Sequence, residues 1–281
     1  MLALTKLHPE FGVTASGVDL AAALNDVAFK EIEDASFAGQ VMVFRDQRLT
    51  PLQFHAFARR FGPPEPHVID QFHHPDCSDI LILSNVVRDG RPTGLADGGT
   101  YFHTDYSYLD IPARCTMLYS IVVPKIGGDT LFANQYAAYD DLSAAMKARV
   151  ENLIGLHHYG NRDDLNETSR TVASVLTDDQ KKRMNWVRHR IARAHPVTGR
   201  KALYAVAGSS FGIEGMPDDE AIALLDELKA HATQPKYQYR LKYSVGDLVI
   251  WDNASLLHSA TLIDPNDART LWRITVKEPK P

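Results

Sequence analysis

Apolar and polar positions change their rhythm along this chain, and the changes mark out the elements. Residues 25–38, NDVAFKEIEDASFA, place Val27, Ile32 and Ala35 near one stripe with acids between them, which predicts a helix. Gln40 to Arg45, QVMVFR, is a short apolar run that reads as a buried strand. Thr50 then fits a helix N-cap and Pro51 its first turn, with Phe54, Phe57 and Ala58 on one face and a stop at Gly62-Pro63-Pro64. From 63 to 100 the pattern is mostly loop around one strand, Ile80–Asn85, and the loop carries His67, His73 and His74 before the glycine-rich run GLADGGT. Loops of this length in a compact domain are commonly lids or binding loops.

After residue 100 short strands dominate. They are expected around Tyr101–Tyr108, at Arg114–Val123, after the turn Gly127-Gly128-Asp129, over 201–207 and 237–243, in LVIWDN at 248–253, and at Thr270–Val276. The stretch before that last strand, which holds His258, reads as loop. Helices are expected over 136–150 and 217–232, the latter with Asp218 and Asp219 where the helix dipole favours acids. The polar, broken stretch from roughly 160 to 192 reads as a helical insertion covering one end of the core. This pattern predicts a mainly β chain with flanking helices, a closed or sandwiched antiparallel core in a single domain spanning 1–281. No GxGxxG follows a first strand, and neither a phosphate-loop motif nor an internal repeat is found.

Composition narrows the function classes. Of 281 residues, 30 are Lys or Arg and 35 are Asp or Glu, with no block of like charge, so no nucleic-acid partner and no membrane surface are indicated. The two cysteines, Cys77 and Cys115, make neither a disulfide framework nor a CxxC site. The segment MLALTKLHPEFG lacks the apolar core of a signal peptide, and no apolar run reaches a membrane span, so a cytoplasmic location is expected.

The chemistry gathers around YFHTDYSYLD. In a strand, His103 and Asp105 would share one face and offer a nitrogen and an oxygen to one metal. His258 is the candidate third ligand. Two imidazoles and a carboxylate suit a non-haem iron site that keeps positions open, and the same set also suits a zinc hydrolase. Arg269 and Arg273, four apart on a strand, face inward together and imply two bound anions, or one anion and a buried carboxylate.

The ordered pieces GVDL, VFRDQRLTP, ARRFG, FHTD, GGDTLF, HPVTGRKALY, GDLVIWDN, His258 and the R-x3-R at 269–273 resemble the TauD/TfdA family of Fe(II)/2-oxoglutarate-dependent dioxygenases along nearly the whole chain. The resemblance implies a double-stranded β-helix, or jelly roll. It also implies Fe(II) held by His103, Asp105 and His258, and 2-oxoglutarate held through its distal carboxylate by Thr130 and Arg269. Arg273 matches the position that pairs with the anionic head of the prime substrate, and His67 a substrate-contacting histidine. The implied reaction uses O2 and converts 2-oxoglutarate to succinate and CO2 while hydroxylating a small organic acid bearing a carboxylate, sulfonate or sulfate. Hydroxylation beside a heteroatom would cleave the C–O, C–S or C–N bond. A homo-oligomer is the expected state.

Two positions depart from the taurine pattern: Gly99 stands where those members carry Asn, and Phe102 where they carry Trp. Ser209 replaces a substrate-packing Phe. With Tyr101, Tyr106 and Tyr108 nearby, these changes favour a larger or aromatic acid. Arg273 has a second reading as partner of a core acid, and His67 as a plain loop histidine. His73, His74, His157 and His158 match no motif and read as solvated or structural, while Asp252 and Asn253 read as orienting the turn before His258. The rival functions are a zinc-dependent hydrolase on the same ligands and a non-catalytic sensor of small acids.

Overall fold

The computed structural model describes residues 2–96, 99–159 and 177–279. Its largest element is an eight-stranded sheet in the order Ala3–Lys6, Val13–Ser16, Val41–Phe44, Leu248–Asp252, Ala113–Val122, Thr270–Lys277, Cys77–Ser84 and His73–His74. Only the pairing of Val13–Ser16 with Val41–Phe44 is parallel within it. A three-stranded sheet, Gln238–Leu241, Thr130–Asn134 and Leu256–Ala260, lies against its inner face.

Alternation along the strands divides the core into layers. Val41, Val43, Leu118, Val249, Trp251 and Leu271 of the large sheet meet Phe132, Leu241 and Leu256 of the small one. The intervening residues Met42, Phe44, Met117, Ile250 and Ile274 point the other way, onto Phe29, Ile32, Phe54 and Phe57 of helices Asp26–Gly39 and Pro51–Ala58. On the far side, Ala133 and Leu257 of the small sheet pack against Leu224, Leu225 and Leu228 of helix Asp218–Ala232. Strands covered on both faces need apolar residues at successive positions, which is why VMVF and LVIW read as unbroken apolar runs.

Local chemistry sets several boundaries. Thr50 accepts from the Gln53 amide while the Gln53 side chain accepts from the Thr50 amide, and Pro51 opens the helix between them. The predicted helix over 136–150 is two helices, Gln135–Asp140 and Ala144–Val150, because Ser143 starts a new one by capping the Met146 amide. In helix Asp26–Gly39 the buried face is Phe29, Ile32, Ser36 and Phe37, whereas Val27 is 72% exposed. The predicted stripe is therefore rotated: at about 100° per residue Val27 stands about 200° round the helix from buried Phe29, on the face turned away from the sheet. The strand over 201–207 ends at Leu203, and Ala205 has φ 48°, outside extended backbone. Within the predicted insertion, residues 160–176 lie outside the described set. The described remainder holds the helix Asp178–Lys182 and the strand Val187–Arg190, which pairs with Ile154–His157.

Candidate active site

The segment around His103 is not the expected strand. Residues 105–111 form turns and bends, with Tyr106 at φ 53°. His103 is instead held by a single antiparallel bridge to His258, each amide donating to the other's carbonyl at 2.9 Å. His258, expected in a loop, lies in the middle of strand Leu256–Ala260. Directly opposed residues present their side chains together, and the two imidazoles stand 4.2 Å apart, centre to centre. The turn after Thr104 then brings in Asp105, whose Oδ1 is 3.7 Å from His103 Nε2 and whose Oδ2 is 3.5 Å from His258 Nε2. One ligand atom from each of the three lies within 4.8 Å of the others.

The donor set fits a divalent cation. His103 Nδ1 faces the Tyr101 carbonyl at 2.8 Å, which assigns its proton to that nitrogen and leaves the Nε2 lone pair facing Asp105. Burial lowers His258 to about 3, with His103 and Arg273 adding to the effect, so its ring is neutral and able to ligate. The buried His258 Nδ1 has no hydrogen-bond partner among the described residues, and Trp251 (4.8 Å between ring centres) fixes its plane by packing. Burial alone would raise the Asp105 carboxyl, but Arg273, His258 and His103 hold it well below the usual carboxylate range. Contacts of 3.5–3.7 Å approach the ~3 Å edges of an octahedral face with bonds of about 2.1 Å.

A layer of polar groups supports Asp105 from behind. Thr116 Oγ1 donates to Asp105 Oδ2 at 2.7 Å and accepts from Asn253 Nδ2 at 2.9 Å, while Trp251 Nε1 donates to Asn253 Oδ1 at 3.2 Å. Thr116 and Trp251 are register partners on neighbouring strands, so the sheet itself aligns this chain. Asp252 accepts from the Ala254 amide and from the Ser255 hydroxyl, which sets the turn before His258 as expected.

Thr130, Tyr243 and Arg269 form a second cluster on the same interior. Thr130 sits two positions from Phe132 on one strand, and Phe132 is the register partner of His258. Same-face residues two apart are ~6–7 Å from each other. Thr130 Oγ1 and the Tyr243 hydroxyl are 2.8 Å apart. Arg269 is buried, and among the described residues no carboxylate pairs with its guanidinium. A Cβ on Gly128 would stand 3.3 Å from Arg269 Nε, and Gly128 has φ 68°, so this turn needs glycine both to form and to let the arginine lie against it.

Arg273 places Nη2 3.3 Å from Asp105 Oδ1 and its guanidinium carbon 5.4 Å from the Tyr106 ring centre. Tyr106 packs on Tyr108 (5.6 Å) and on His67 (5.8 Å), and Tyr159 closes the group at 4.4 Å from Tyr108 and 5.9 Å from His67. His67 Nδ1 accepts the Ile69 amide at 3.1 Å, so its proton is on Nε2. Burial, then Arg273, lowers this histidine to about 3 and keeps it neutral. Of the aromatics singled out in the sequence, Tyr106 and Tyr108 join this box. Phe102 packs against the layer formed with helix Asp218–Ala232, and Tyr101 is partly exposed. Gly99 has φ 96°, and a Cβ there would meet His103 Cε1 at 2.3 Å, so the residue answers to the close approach of its loop to the imidazole. Sequence reasoning missed Thr116, Tyr159 and Tyr243, none of which stands in a spacing that marks chemistry.

The model of the family described as "Taurine catabolism dioxygenase TauD, TfdA family" matches residues 3–275. The chain belongs to the TauD/TfdA family. Among its relatives is the alpha-ketoglutarate-dependent 2,4-dichlorophenoxyacetate dioxygenase of Cupriavidus pinatubonensis, 36% identical over 280 residues, which cover 96% of this chain and 95% of that protein. Another is the (S)-phenoxypropionate/alpha-ketoglutarate-dioxygenase of Sphingobium herbicidovorans, 32% identical, covering 96% of this chain and 92% of that protein. The crystal structure of AAD-2 in complex with Mn(II) and N-oxalylglycine superposes with a TM-score of 0.83 at 32% identity, over 100% of this chain and 99% of that one. These TauD/TfdA relatives are oxygenases, which disfavours the zinc-hydrolase and sensor readings. No helix among the described residues is long and apolar enough to cross a membrane.

Proposed function

We propose that this chain is a cytoplasmic Fe(II)/2-oxoglutarate-dependent dioxygenase built on a single double-stranded β-helix domain, acting on a small aromatic carboxylic acid. One observation carries the reading: a buried two-histidine, one-carboxylate face shares the interior with two buried arginines, of which, among the described residues, only Arg273 has an acidic partner.

His103, Asp105 and His258 would hold the ferrous ion, and a bound ion with 2-oxoglutarate and O2 supplies the oxidant for C–H hydroxylation. Thr130 and Arg269 would take the distal carboxylate of 2-oxoglutarate, the hydroxyl donating one hydrogen bond and the guanidinium supplying fixed positive charge. Tyr243 orients Thr130 from behind. Arg273 holds Asp105 in place and offers the remaining face of its guanidinium to the substrate anion. His67, neutral with its proton on Nε2, donates to the same anion. The walls of Tyr106, Tyr108 and Tyr159 suit an aryl ring more than a short aliphatic chain, and they exclude water from the reacting carbon.

The test is succinate formation from 2-oxoglutarate with Fe(II) and O2, screened over aryloxyalkanoates, sulfonates, sulfate esters and N-acyl amino acids. Aryloxy or arylalkanoic acids should give the highest kcat/KM. Failure of the whole panel to stimulate succinate release would sink the activity, and a preference for alkyl sulfonates would sink the aromatic pocket.

A further inference from the structure

A second cluster of ligating side chains lies on the opposite side of the large sheet from His103. His55 comes from helix Pro51–Ala58, and Cys77 and Asp79 come from strand Cys77–Ser84. One ligand atom from each of these three residues lies within 4.8 Å of the others. His55 Nε2 and Asp79 Oδ2 are 2.6 Å apart, and all three residues are half-buried, with water able to reach them. The helix is fixed at its start by the Thr50–Gln53 capping box and along its inner face by Phe54 and Phe57, so His55 is delivered to the strand by a rigid element.

We propose that His55, Cys77 and Asp79 form a second cation site, selective for zinc, that ties this helix to the sheet edge. Nitrogen, thiolate and carboxylate together are a donor set that zinc takes in tetrahedral geometry, with water as the fourth ligand. The thiolate favours zinc over the harder ferrous ion suited to His103, Asp105 and His258, so the two sites sort metals by chemistry. Seating the ion requires the His55–Asp79 contact to open to about 3.3 Å, the edge of a tetrahedron with bonds near 2.0 Å, which a half-exposed side chain accommodates. Burial raises the Cys77 thiol, so the metal-free site is protonated there. Binding replaces the S–H bond with a sulfur–metal bond and releases that proton to solvent without any redox change. The site is independent of the oxygenase reading, since it shares no residue with it.

The experiment is a Co2+ titration of the metal-free full chain. Sulfur coordination gives an intense thiolate-to-cobalt charge-transfer absorption that the His103 site, which has no sulfur, does not produce. The expected result is one equivalent of Co2+ with this band, displaced by Zn2+, retained in His103→Ala and abolished in Cys77→Ser. His55→Ala should weaken binding at least tenfold. Absence of the band in the wild-type chain, or its persistence in Cys77→Ser, overturns the proposal. Should Cys77→Ser fail to fold, alkylation of the wild-type chain decides. Zn2+ should slow modification of Cys77 at least tenfold, with buried Cys115 as the unreactive internal reference, and an unchanged rate overturns the site.

Discussion

Arg269 and Arg273 stand four residues apart on one run of chain, both buried, in opposite electrostatic situations. Arg273 has a resident counterion. Burial works against its charge, but Asp105 at 3.3 Å, with Tyr106 and Tyr108, more than compensates and raises its proton affinity. Among the described residues Arg269 has none: burial lowers its proton affinity, and Tyr243 and Asp129 do not restore it. The nearby Asp129 carboxylate is engaged elsewhere, accepting from Arg240 Nε at 2.6 Å. A buried guanidinium without a carboxylate is costly to keep in a folded chain. The contrast is what the proposed roles need: Arg273 as a fixed partner of Asp105, Arg269 as the partner of a diffusible anion.

The largest effect should come from removing what the two sides share. Asp105→Asn takes away a proposed metal ligand and the counterion of Arg273 together. Turnover should fall to the detection limit, and the metal-free chain should lose about 3–5 kcal/mol in urea denaturation, the usual cost of orphaning one partner of a buried pair. Unchanged stability would mean that Arg273 is not compensated by Asp105.

Next come the arginines themselves, and here the comparison can be broken directly. Arg269→Met should raise the KM for 2-oxoglutarate about 100-fold, in line with truncating one partner of a buried charged contact, while the metal-free chain stays as stable as wild type or becomes more so. Arg273→Met should do the reverse. The metal-free chain should be destabilised by several kcal/mol, added Fe(II) should restore much of the loss, and the KM for the prime substrate should rise with that for 2-oxoglutarate little changed. Equal stability losses in the two variants would erase the distinction.

A smaller effect comes from pH. His67 titrates at about 3 in the folded chain, because of burial and then Arg273, against about 6.5 when unfolded. The unfolded chain therefore binds the proton first as pH falls. The stability linked to neutral His67 is complete above about 6.5 and is lost as pH falls from there toward 3. His67→Phe should reduce the slope of unfolding free energy between pH 6 and 4 by up to about 1.4 kcal/mol per pH unit, one proton's worth. An unchanged slope would show that His67 is not buried beside Arg273.

How much of this was legible in the sequence differs between the parts of the site. The inward placement of both arginines came from the strand period of two, and the layered β core from apolar runs that need cover on both faces. The spacing of His103-x-Asp105 pointed to two side chains meeting on one strand face. The side chains do meet, but by another route. YFHTDYSYLD has strand-like aromatics, yet Tyr106 at φ 53° and the turns after it mean that a single bridge to His258 does the alignment. Tyr159 joins Tyr108 from a distant part of the chain, and Thr116 meets Asp105 across a sheet register. Neither contact has a local pattern, because tertiary packing decides both. The proposed zinc cluster was invisible for the same reason, since His55 and Cys77 belong to different elements and only the packing of helix on sheet joins them.

The smallest expected effect is a control that sharpens the contrast between the arginines. Thr50→Ala removes one side of the capping box at the start of helix Pro51–Ala58, which packs on the outer face of the large sheet. Losing an N-cap of this kind costs about 1 kcal/mol, measurable as a shift of the urea midpoint with an unchanged m-value. Helix and arginines are separated by a sheet whose strands are locked by register, so a frayed first turn should not reach the interior. Both KM values should therefore stay within about twofold of wild type. If Thr50→Ala instead raised the KM for 2-oxoglutarate, the same rise in Arg269→Met would report general loosening, and Arg269 would lose its claim to be an anion's partner.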